Sequence, residues 1–174
     1  KTEISQDQFI NACENNQLLL SPNSFGGSGS YVAHNWSGDT DFLSDTFAPS
    51  TTFNAQDTGT YFVKYQVWDS NSCSEKDSIN INVRKGPRVS PRPSVTVCQF
   101  DDLKLYGNPS SGSGSYVAHL WQGDNDQLNG DTISEAPIFF ATVPGVFSLN
   151  YTVTDFLGCT ASANVTVNVN EAPV

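Results

Sequence analysis

The sequence contains one eight-residue segment twice, and this duplication limits the folds that are possible. Gly-Ser-Gly-Ser-Tyr-Val-Ala-His occupies residues 27–34 and again residues 112–119, and each copy is followed one residue later by a tryptophan, Trp36 or Trp121. Other pairs keep this offset of 85 positions, or an offset of 86 after one inserted residue: Cys13 and Cys98, Asp39 and Asp124, Tyr65 and Tyr151, Cys73 and Cys159. The chain therefore consists of two related units that share one fold.

Charge and hydropathy exclude some classes of partner. The chain has 18 acidic and 8 basic residues and a net charge of -10, which argues against nucleic acid and anionic membranes as partners. It has no apolar run long enough to cross a bilayer. We therefore expect no nucleic-acid partner and no membrane insertion.

Half of the basic residues lie in one short segment between the two units, together with three prolines. Such a segment is typical of a stiff, extended connector. We predict a first domain over residues 1–84, a linker over 85–94 and a second domain over 95–174. A basic docking stripe for an acidic partner is the alternative interpretation of the linker.

The four cysteines predict disulfides and an oxidising, extracellular or cell-surface location. Only the pairs Cys13 with Cys73 and Cys98 with Cys159 give each unit the same bond, and this pairing ties a hairpin loop to the start of the second strand. Bonds closing loops of this size stabilise by roughly 4 kcal/mol on a chain-entropy model. A zinc site is disfavoured because the chain has no Cys-x-x-Cys motif.

Alternation of apolar and polar residues predicts strands. In 59–69, Tyr61, Val63, Tyr65 and Val67 fall on one face, and 145–155 repeats the pattern. Short strands at regular spacing, turns rich in Ser, Gly, Pro and Asn, and a central tryptophan predict an all-β fold with two tandem Ig-like or PKD-like β-sandwiches of about seven strands, each with one disulfide.

Motifs across nearly the whole chain resemble those of a known repeat family. They are Ser-Tyr-x-x-x-x-Trp, then Gly-x-Tyr/Phe-x-x-x-Tyr-x-Val-x-Asp, and a closing Gly/Ser-Cys before an alternating strand. They resemble the PKD-like and Ig-like repeats in tandem arrays of large secreted and surface proteins, adhesins included, of Bacteroidota-type bacteria. The resemblance implies a non-catalytic module that spaces, presents or binds at the cell surface, with neighbouring repeats of the same polypeptide as partners.

Two acidic turns are candidate metal sites. Asp39 and Asp41 in the first unit match Asp124 and Asp126 in the second. Calcium takes six to eight oxygen ligands, so each pair supplies only part of a shell. Turns carrying Asp for their own backbone hydrogen bonds are the alternative. We expect no cofactor, with Ca²⁺ as the possible exception.

Differences between the copies indicate candidate binding residues. Phe42, Phe62 and Trp68 of the first unit are replaced in the second by polar residues, and alternation predicts that they face outward. Exposed aromatic side chains suit stacking on sugars or anchoring a protein. Packing under a loop or against the neighbouring unit is the alternative.

We therefore predict a module pair that is not an enzyme. The chain has no nucleophile elbow, phosphate loop or zinc-protease helix motif, and its two histidines, His34 and His119, are duplicated in strand-like segments. The predicted role is that of a spacer or stalk in an adhesin. The alternative is glycan or host-protein binding through the first domain, and a distant alternative is a set of accessory domains of a secreted enzyme.

Overall fold

The computed structural model describes residues 2–5 and 9–173, and it divides the chain into two units, Lys1–Arg84 and Lys85–Val174. The strands of the first unit are β1 (Thr2–Ser5), β2 (Phe9–Cys13), β3 (Leu18–Leu20), β4 (Asn23–Gly26), β5 (Tyr31–Gly38), β6 (Thr51–Phe53), β7 (Gly59–Asp69) and β8 (Ser74–Arg84). Those of the second unit are β9 (Pro87–Val89), β10 (Ser94–Cys98), β11 (Asp102–Lys104), β12 (Pro109–Ser111), β13 (Tyr116–Gly123), β14 (Ile138–Phe140), β15 (Gly145–Asp155) and β16 (Thr160–Asn170). Short 3-10 helices span Thr40–Phe42 and Asn125–Leu128.

Each unit has one four-stranded sheet and two short strand pairs. The main sheets have the order β2-β8-β7-β5 and β10-β16-β15-β13, and the short pairs are β1-β4 and β3-β6 in the first unit and β12-β9 and β11-β14 in the second. Within each main sheet, the strand that comes first in the sequence (β2 or β10) pairs parallel with the strand that comes last in the sequence (β8 or β16). The other pairs are antiparallel. The chain is all-β and forms two tandem Ig-like sandwiches, which confirms the predicted fold class.

Alternation along the long strands builds the core of each unit. Val63 and Val67 on β7 are fully buried, as are Tyr151 and Val153 on one face of β15. In the first unit, Leu20 and Phe53 from the short strands belong to the same buried cluster, so the β3-β6 pair covers the main sheet. Each fully buried apolar side chain of this size contributes about 1.5–3 kcal/mol.

The segment predicted as a linker includes a strand of the second unit. Pro87–Val89 forms β9 and pairs antiparallel with β12, with Val89 opposite Pro109. Val89 also packs against the buried cluster of the second unit. The predicted linker is thus extended over Pro87–Val89, and this part of it belongs to the second unit.

The predicted bond between Cys13 and Cys73 does not form, because the two residues lie at opposite ends of one strand. β2 runs parallel to β8 and places Cys13 beside Arg84, the last residue of β8. Cys73 immediately precedes Ser74, the first residue of the same strand. A strand of 11 residues spans about 33 Å, whereas the Cα atoms of a disulfide lie within about 7 Å.

The second unit repeats this geometry, so the predicted bond between Cys98 and Cys159 is also absent. Cys98 lies beside Asn170 at the end of β16, and Cys159 precedes Thr160 at its start. Cys13 and Cys159 are each in the disulfide-bonded state. Cys73 and Cys98 are exposed free thiols, which corrects the prediction of one disulfide in each sandwich.

Candidate functional site

A buried aspartate at the end of β7 explains the repeated Gly-Ser-Gly-Ser segment. Asp69 is 1% exposed. Its carboxylate accepts hydrogen bonds from the backbone N–H groups of Ser28 at 3.0 Å, Asn71 at 3.0 Å and Cys73 at 2.9 Å. One side chain thus joins the repeated loop to the hairpin between β7 and β8.

Asp155 does the same in the second unit. It is fully buried and accepts from the N–H groups of Ser113 at 2.8 Å, Leu157 at 3.0 Å and Cys159 at 2.9 Å. For Asp69, such backbone N–H donors stabilise the ionised form of the carboxylate. In the first unit, the hydrogen bond from Ser28 is the largest cause of a lowered pKa of Asp69; burial opposes it, and the bonds from Cys73 and Asn71 lower the pKa further.

The duplicated histidines belong to a second structural cluster. The ring Nδ1 of His34 lies 2.7 Å from the hydroxyl of Tyr65, and that of His119 lies 2.6 Å from the hydroxyl of Tyr151. Burial lowers the pKa of His34, so the neutral ring, which can accept the tyrosine proton at Nδ1, is favoured. Each histidine is therefore engaged with a core tyrosine.

Each of these tyrosines also contacts the central tryptophan. The ring centroids of Trp36 and Tyr65 are 4.7 Å apart, as are those of Trp121 and Tyr151. Burial, with smaller contributions from Glu135 and Tyr116, raises the pKa of Tyr151 to about 12. The indole N–H of Trp36 donates to the carbonyl oxygen of Ala48 and that of Trp121 to Ser134, both at 2.9 Å. These matched contacts hold strand β5 or β13 to the loop that follows it.

The acidic turns use one carboxylate each to hold a neighbouring strand. Asp39 accepts from the backbone N–H of Phe62 at 2.7 Å, and Asp124 accepts from that of Ser148, also at 2.7 Å. Asp41 and Asp126, the other predicted calcium ligands, lie in the 3-10 helices. Among the described residues, no group of three or more His, Cys, Asp or Glu side chains could hold a metal ion. Calcium binding stays a prediction, which thermal melting with and without EDTA tests.

The three aromatic candidates occupy different environments. Phe42 lies in a 3-10 helix, where the alternation of a strand does not apply, and it is half-buried against Phe53 and Tyr61, with ring centroids 5.9 and 4.8 Å away. Phe62 is 37% exposed, with the Nζ of Lys64 at 5.2 Å from its ring centroid. Phe42 therefore packs against the buried cluster of the first unit, whereas Phe62 lies on the surface.

Trp68 lines a shallow apolar depression on the first unit. It is half-buried, and Val32, His34 and Phe47 lie in the same depression. Phe47 and Val32 are 73% and 64% exposed. The structure thus brings Trp68 together with Phe47, a residue that sequence comparison did not select, and not with Phe42.

A groove on the second unit contains residues that the sequence analysis missed. It has a volume of about 400 Å³, and Arg92, Lys104 and Tyr106 lie along it. The Nζ of Lys104 lies 5.5 Å from the ring centroid of Tyr106. Guanidinium, ammonium and aromatic groups together suit anionic or sugar ligands. The offset of 85 pairs Lys104 with Leu19 and Tyr106 with Ser21, so the comparison of the copies could have found both.

Comparison with known proteins leaves the family of the chain open. No protein-family model matches the sequence, and no curated protein matches it. Among solved structures, the fibronectin(III)-like modules of Clostridium thermocellum CbhA have a TM-score of 0.48 and 15% identity, covering 99% of this chain and 95% of theirs. The IG1+IG2 structure of DIP-gamma has a TM-score of 0.43 and 11% identity, covering 98% of each chain.

A third similar structure is the sialic acid binding region of a Streptococcus sanguinis SK1 adhesin. Its TM-score is 0.40 at 7% identity, covering 98% of this chain and 78% of that one. At these identities and TM-scores, the assignment of the fold rests on the strand topology of the chain itself. No helix among the described residues has the length and apolar character needed to cross a membrane.

Proposed function

We propose that the chain is a non-catalytic pair of extracellular modules that acts as a tension-bearing spacer in a larger surface or secreted protein of the adhesin type. The modules are residues 1–84 and 95–174, with 85–94 between them, of which Pro87–Val89 pairs with the second module. The resemblance of the sequence motifs to bacterial surface repeats supports this role. The disulfide-bonded state of Cys13 and Cys159 supports an oxidising location outside the cytosol.

The parallel pairing of the first and last strands of each main sheet carries this proposal. Phe9 to Cys13 on β2 pair in register with Asn80 to Arg84 on β8. A pull on the two ends of the module draws β2 and β8 in opposite directions along their own axes. All hydrogen bonds between the two strands are then loaded together, so none can break alone.

The second module has the same arrangement. Ser94 to Cys98 on β10 pair parallel with Thr166 to Asn170 on β16. Polar groups that occur in both copies are used inside each module, since Asp69 and Asp155 bind loops, and His34 and His119 contact tyrosines. The duplicated polar residues thus have structural partners, which supports a mechanical role over catalysis.

Mechanical unfolding of single molecules tests the spacer proposal. In a reducing buffer, pulling on the two ends should give two unfolding events per chain, each releasing roughly 270 Å of extended polypeptide. Glu14 N–H donates to the Arg84 carbonyl oxygen at 2.9 Å, so ladder alternation directs the Ala12 N–H toward β8 as well. Ala12→Pro removes that donor and should lower the unfolding force of one event only.

The second module provides the matched variant. Gln99 N–H donates to the Asn170 carbonyl oxygen at 2.8 Å, so Val97→Pro is the equivalent change and should weaken the other event. In each variant, the unaltered module serves as the internal control. Unfolding of both variants at the force of the original chain would mean that the parallel pairs do not carry the load.

The depression around Trp68 favours a second candidate function, which is binding of a glycan or a host protein by the first module. Trp68 lies there with the highly exposed Phe47, and an aromatic side chain in an open apolar surface suits stacking on a sugar ring. The second unit has Thr154 in place of Trp68. The candidate site is therefore confined to one module.

A glycan array and a panel of immobilised host extracellular-matrix proteins test this second candidate. The unaltered chain should bind at least one probe, and Trp68→Ala should abolish that binding while Thr154→Ala, at the equivalent position, leaves it unchanged. Equal binding by the chain and its Trp68→Ala variant, or binding to none of the probes, eliminates the candidate.

A further inference from the structure

The groove of about 400 Å³ on the second unit combines an apolar floor with a charged rim. Leu105, Trp121 and Val165 form the floor, and each is at most 3% exposed. Arg92 and Lys104 lie on the rim and are exposed. The residues that line the groove all belong to the second unit, so the groove is complete within one module.

The floor of the groove is common to the two modules. At the offsets of 85 and 86, its residues have buried apolar counterparts in the first unit, which are Leu20, Trp36 and Ile79. Side chains that both copies keep buried and apolar build the sandwich. The floor is therefore part of the shared architecture.

The rim of the groove, in contrast, belongs to the second module alone. The first unit has Leu19 in place of Lys104. At the position of Arg92 it has Asp7, which carries the opposite charge. The two modules thus share the hollow in their fold but not the charged groups around it.

The charge of the rim is opposite to that of the module. Residues 85–174 contain twice as many acidic as basic residues, and Arg92 and Lys104 are half of the basic ones. Among the described residues that line the groove there is no Asp or Glu. Clustered cations without a neighbouring anion create a local positive potential, which favours an anionic ligand.

An aromatic ring lies beside one of these cations. The Nζ of Lys104 is 5.5 Å from the ring centroid of Tyr106, and Tyr106 is 52% exposed. The side-chain amide of Asn108 donates to the Ser90 carbonyl oxygen at 3.2 Å. This bond ties the segment that carries Lys104 and Tyr106 to the segment that precedes Arg92, so the two sides of the rim are held together.

We propose that the groove binds a carboxylated sugar unit of a glycan. The carboxylate pairs with the guanidinium of Arg92 and the ammonium of Lys104, while the apolar face of the pyranose ring stacks on Tyr106. The volume of the groove lies within the range of small-ligand sites. A phosphate ion would use the cations alone, whereas an acidic sugar uses the aromatic ring as well.

This inference concerns the second module only. It depends neither on the spacer role nor on the depression around Trp68 in the first module. Uronic acids and sialic acids share the chemistry of a carboxylated pyranose, and the experiment separates them.

Paired oligosaccharides are the probes for this proposal. One set ends in galacturonic or glucuronic acid and one in sialic acid, and each member is matched with its neutral, carboxyl-reduced form. Calorimetric titration of the whole chain should detect binding of at least one acidic member and not of its neutral form. The affinity should fall as the salt concentration rises, because salt screens the charge attraction.

Substitutions on the rim locate the binding site. Arg92→Gln and Lys104→Gln should each weaken binding about ten-fold or more. Tyr106→Ser should also weaken it, whereas Tyr106→Phe keeps the aromatic ring and should retain it. Lys64→Gln is the matched control, because the Nζ of Lys64 lies 5.2 Å from the ring centroid of Phe62 on the first module, and it should change nothing. All four altered side chains are exposed, so melting midpoints should stay equal.

Four results would overturn the proposal. The first is that no acidic member binds, and the second is that the neutral forms bind equally well. The third is equal weakening by Lys64→Gln and Lys104→Gln, which would indicate general charge attraction. The fourth is binding that Trp68→Ala abolishes and Lys104→Gln leaves unchanged, which would assign the glycan to the first module. Inorganic phosphate that competes as well as the glycan would reduce the groove to an anion site and would equally contradict a sugar site.

Discussion

Buried carboxylates show how single residues shape each module. The motif Tyr-x-Val-x-Asp ends β7 and β15, and its aspartate accepts three backbone N–H groups from two separate loops. The sequence showed that Asp69 and Asp155 are equivalent. It could not show their burial, because an aspartate at the end of a strand is usually exposed.

The ionised form of Asp69 should stabilise the first module at neutral pH. Its pKa is lowered by the bonds from Ser28, Cys73 and Asn71, so the unfolded chain binds its proton first as the pH falls. The stabilisation is therefore complete above the ordinary carboxyl pKa of about 3.9 and is lost as the pH falls through the lower folded value. Asp69→Asn should lower the melting temperature at pH 7 and reduce the acid-induced decrease.

Melting curves between acid and neutral pH measure this effect. Asp101→Asn is the control because that side chain is exposed, and it should leave the curve almost unchanged. If Asp69→Asn and Asp101→Asn give the same pH dependence, the buried carboxylate does not act as described.

Tyr151 should make the second module sensitive to alkali. Its pKa is raised to about 12, whereas an unfolded tyrosine ionises near pH 10. The unfolded chain therefore loses this proton first, and stability falls as the pH rises from about 10 to about 12. Tyr151→Phe removes that decrease. It also removes the contact with His119, and the loss of this contact should lower the free energy of unfolding by about 1 kcal/mol at pH 7.

Urea unfolding at pH 7 and at about pH 10.5, chosen above the ordinary tyrosine pKa, separates the two effects. Tyr106→Phe, at a position that is 52% exposed, is the control. The expected result is a smaller loss of stability between the two pH values for Tyr151→Phe than for Tyr106→Phe. An equal loss in the two variants would contradict it.

Among the secondary-structure elements, β5 shows which local features a sequence pattern reveals. The strand ends at Gly38, where φ is 97° and an added Cβ would meet the carbonyl oxygen of Phe62. Gly123 ends β13 in the same way, against Ser148. The Trp-x-Gly-Asp motif thus combines a core tryptophan, a left-handed turn and a carboxylate that binds β7 or β15.

Gly38→Ala should therefore cost more stability than a substitution at another left-handed glycine. Gly29 has a similar φ of 77° but open space around its Cβ position, so Gly29→Ala meets only the backbone strain of about 1 kcal/mol. Gly38→Ala adds a collision with backbone atoms that cannot move away easily. Denaturant unfolding of both variants measures the difference, and equal losses would show that the contact with Phe62 is unimportant.

The two longest paired segments followed from local sequence, because alternation reports which face of a strand is buried. The predicted segments 59–69 and 145–155 match β7 and β15 to the residue. The placement of Phe42 did not follow, since a 3-10 helix interrupts the alternation there. The groove near Lys104 and Tyr106 was also missed, because its residues come from separate strands and loops.

For the whole molecule, the duplication indicated two like domains but gave the wrong cysteine pairs. Equal spacing in the two copies made a bond within each unit look consistent. The parallel pairing of β2 with β8 joins residues about 70 positions apart, and local sequence carries no signal for it. That pairing places Cys13 beside the last residue of β8, whereas Cys73 precedes its first residue. The separation of the two cysteines therefore became known only from the fold.

The proposed mechanical role depends on the same parallel pairing, and the direction of pulling tests whether this pairing bears the load. Handles can be attached through Phe9→Cys and Lys85→Cys, which load β2 against β8 along their length, or through Cys13 and Lys85→Cys, which pull the strands apart from one end. In both molecules, the other cysteines are replaced by serine. We expect the first module to unfold at a force several times higher in the first geometry than in the second. Equal forces in the two geometries would mean that the parallel pair does not bear the load.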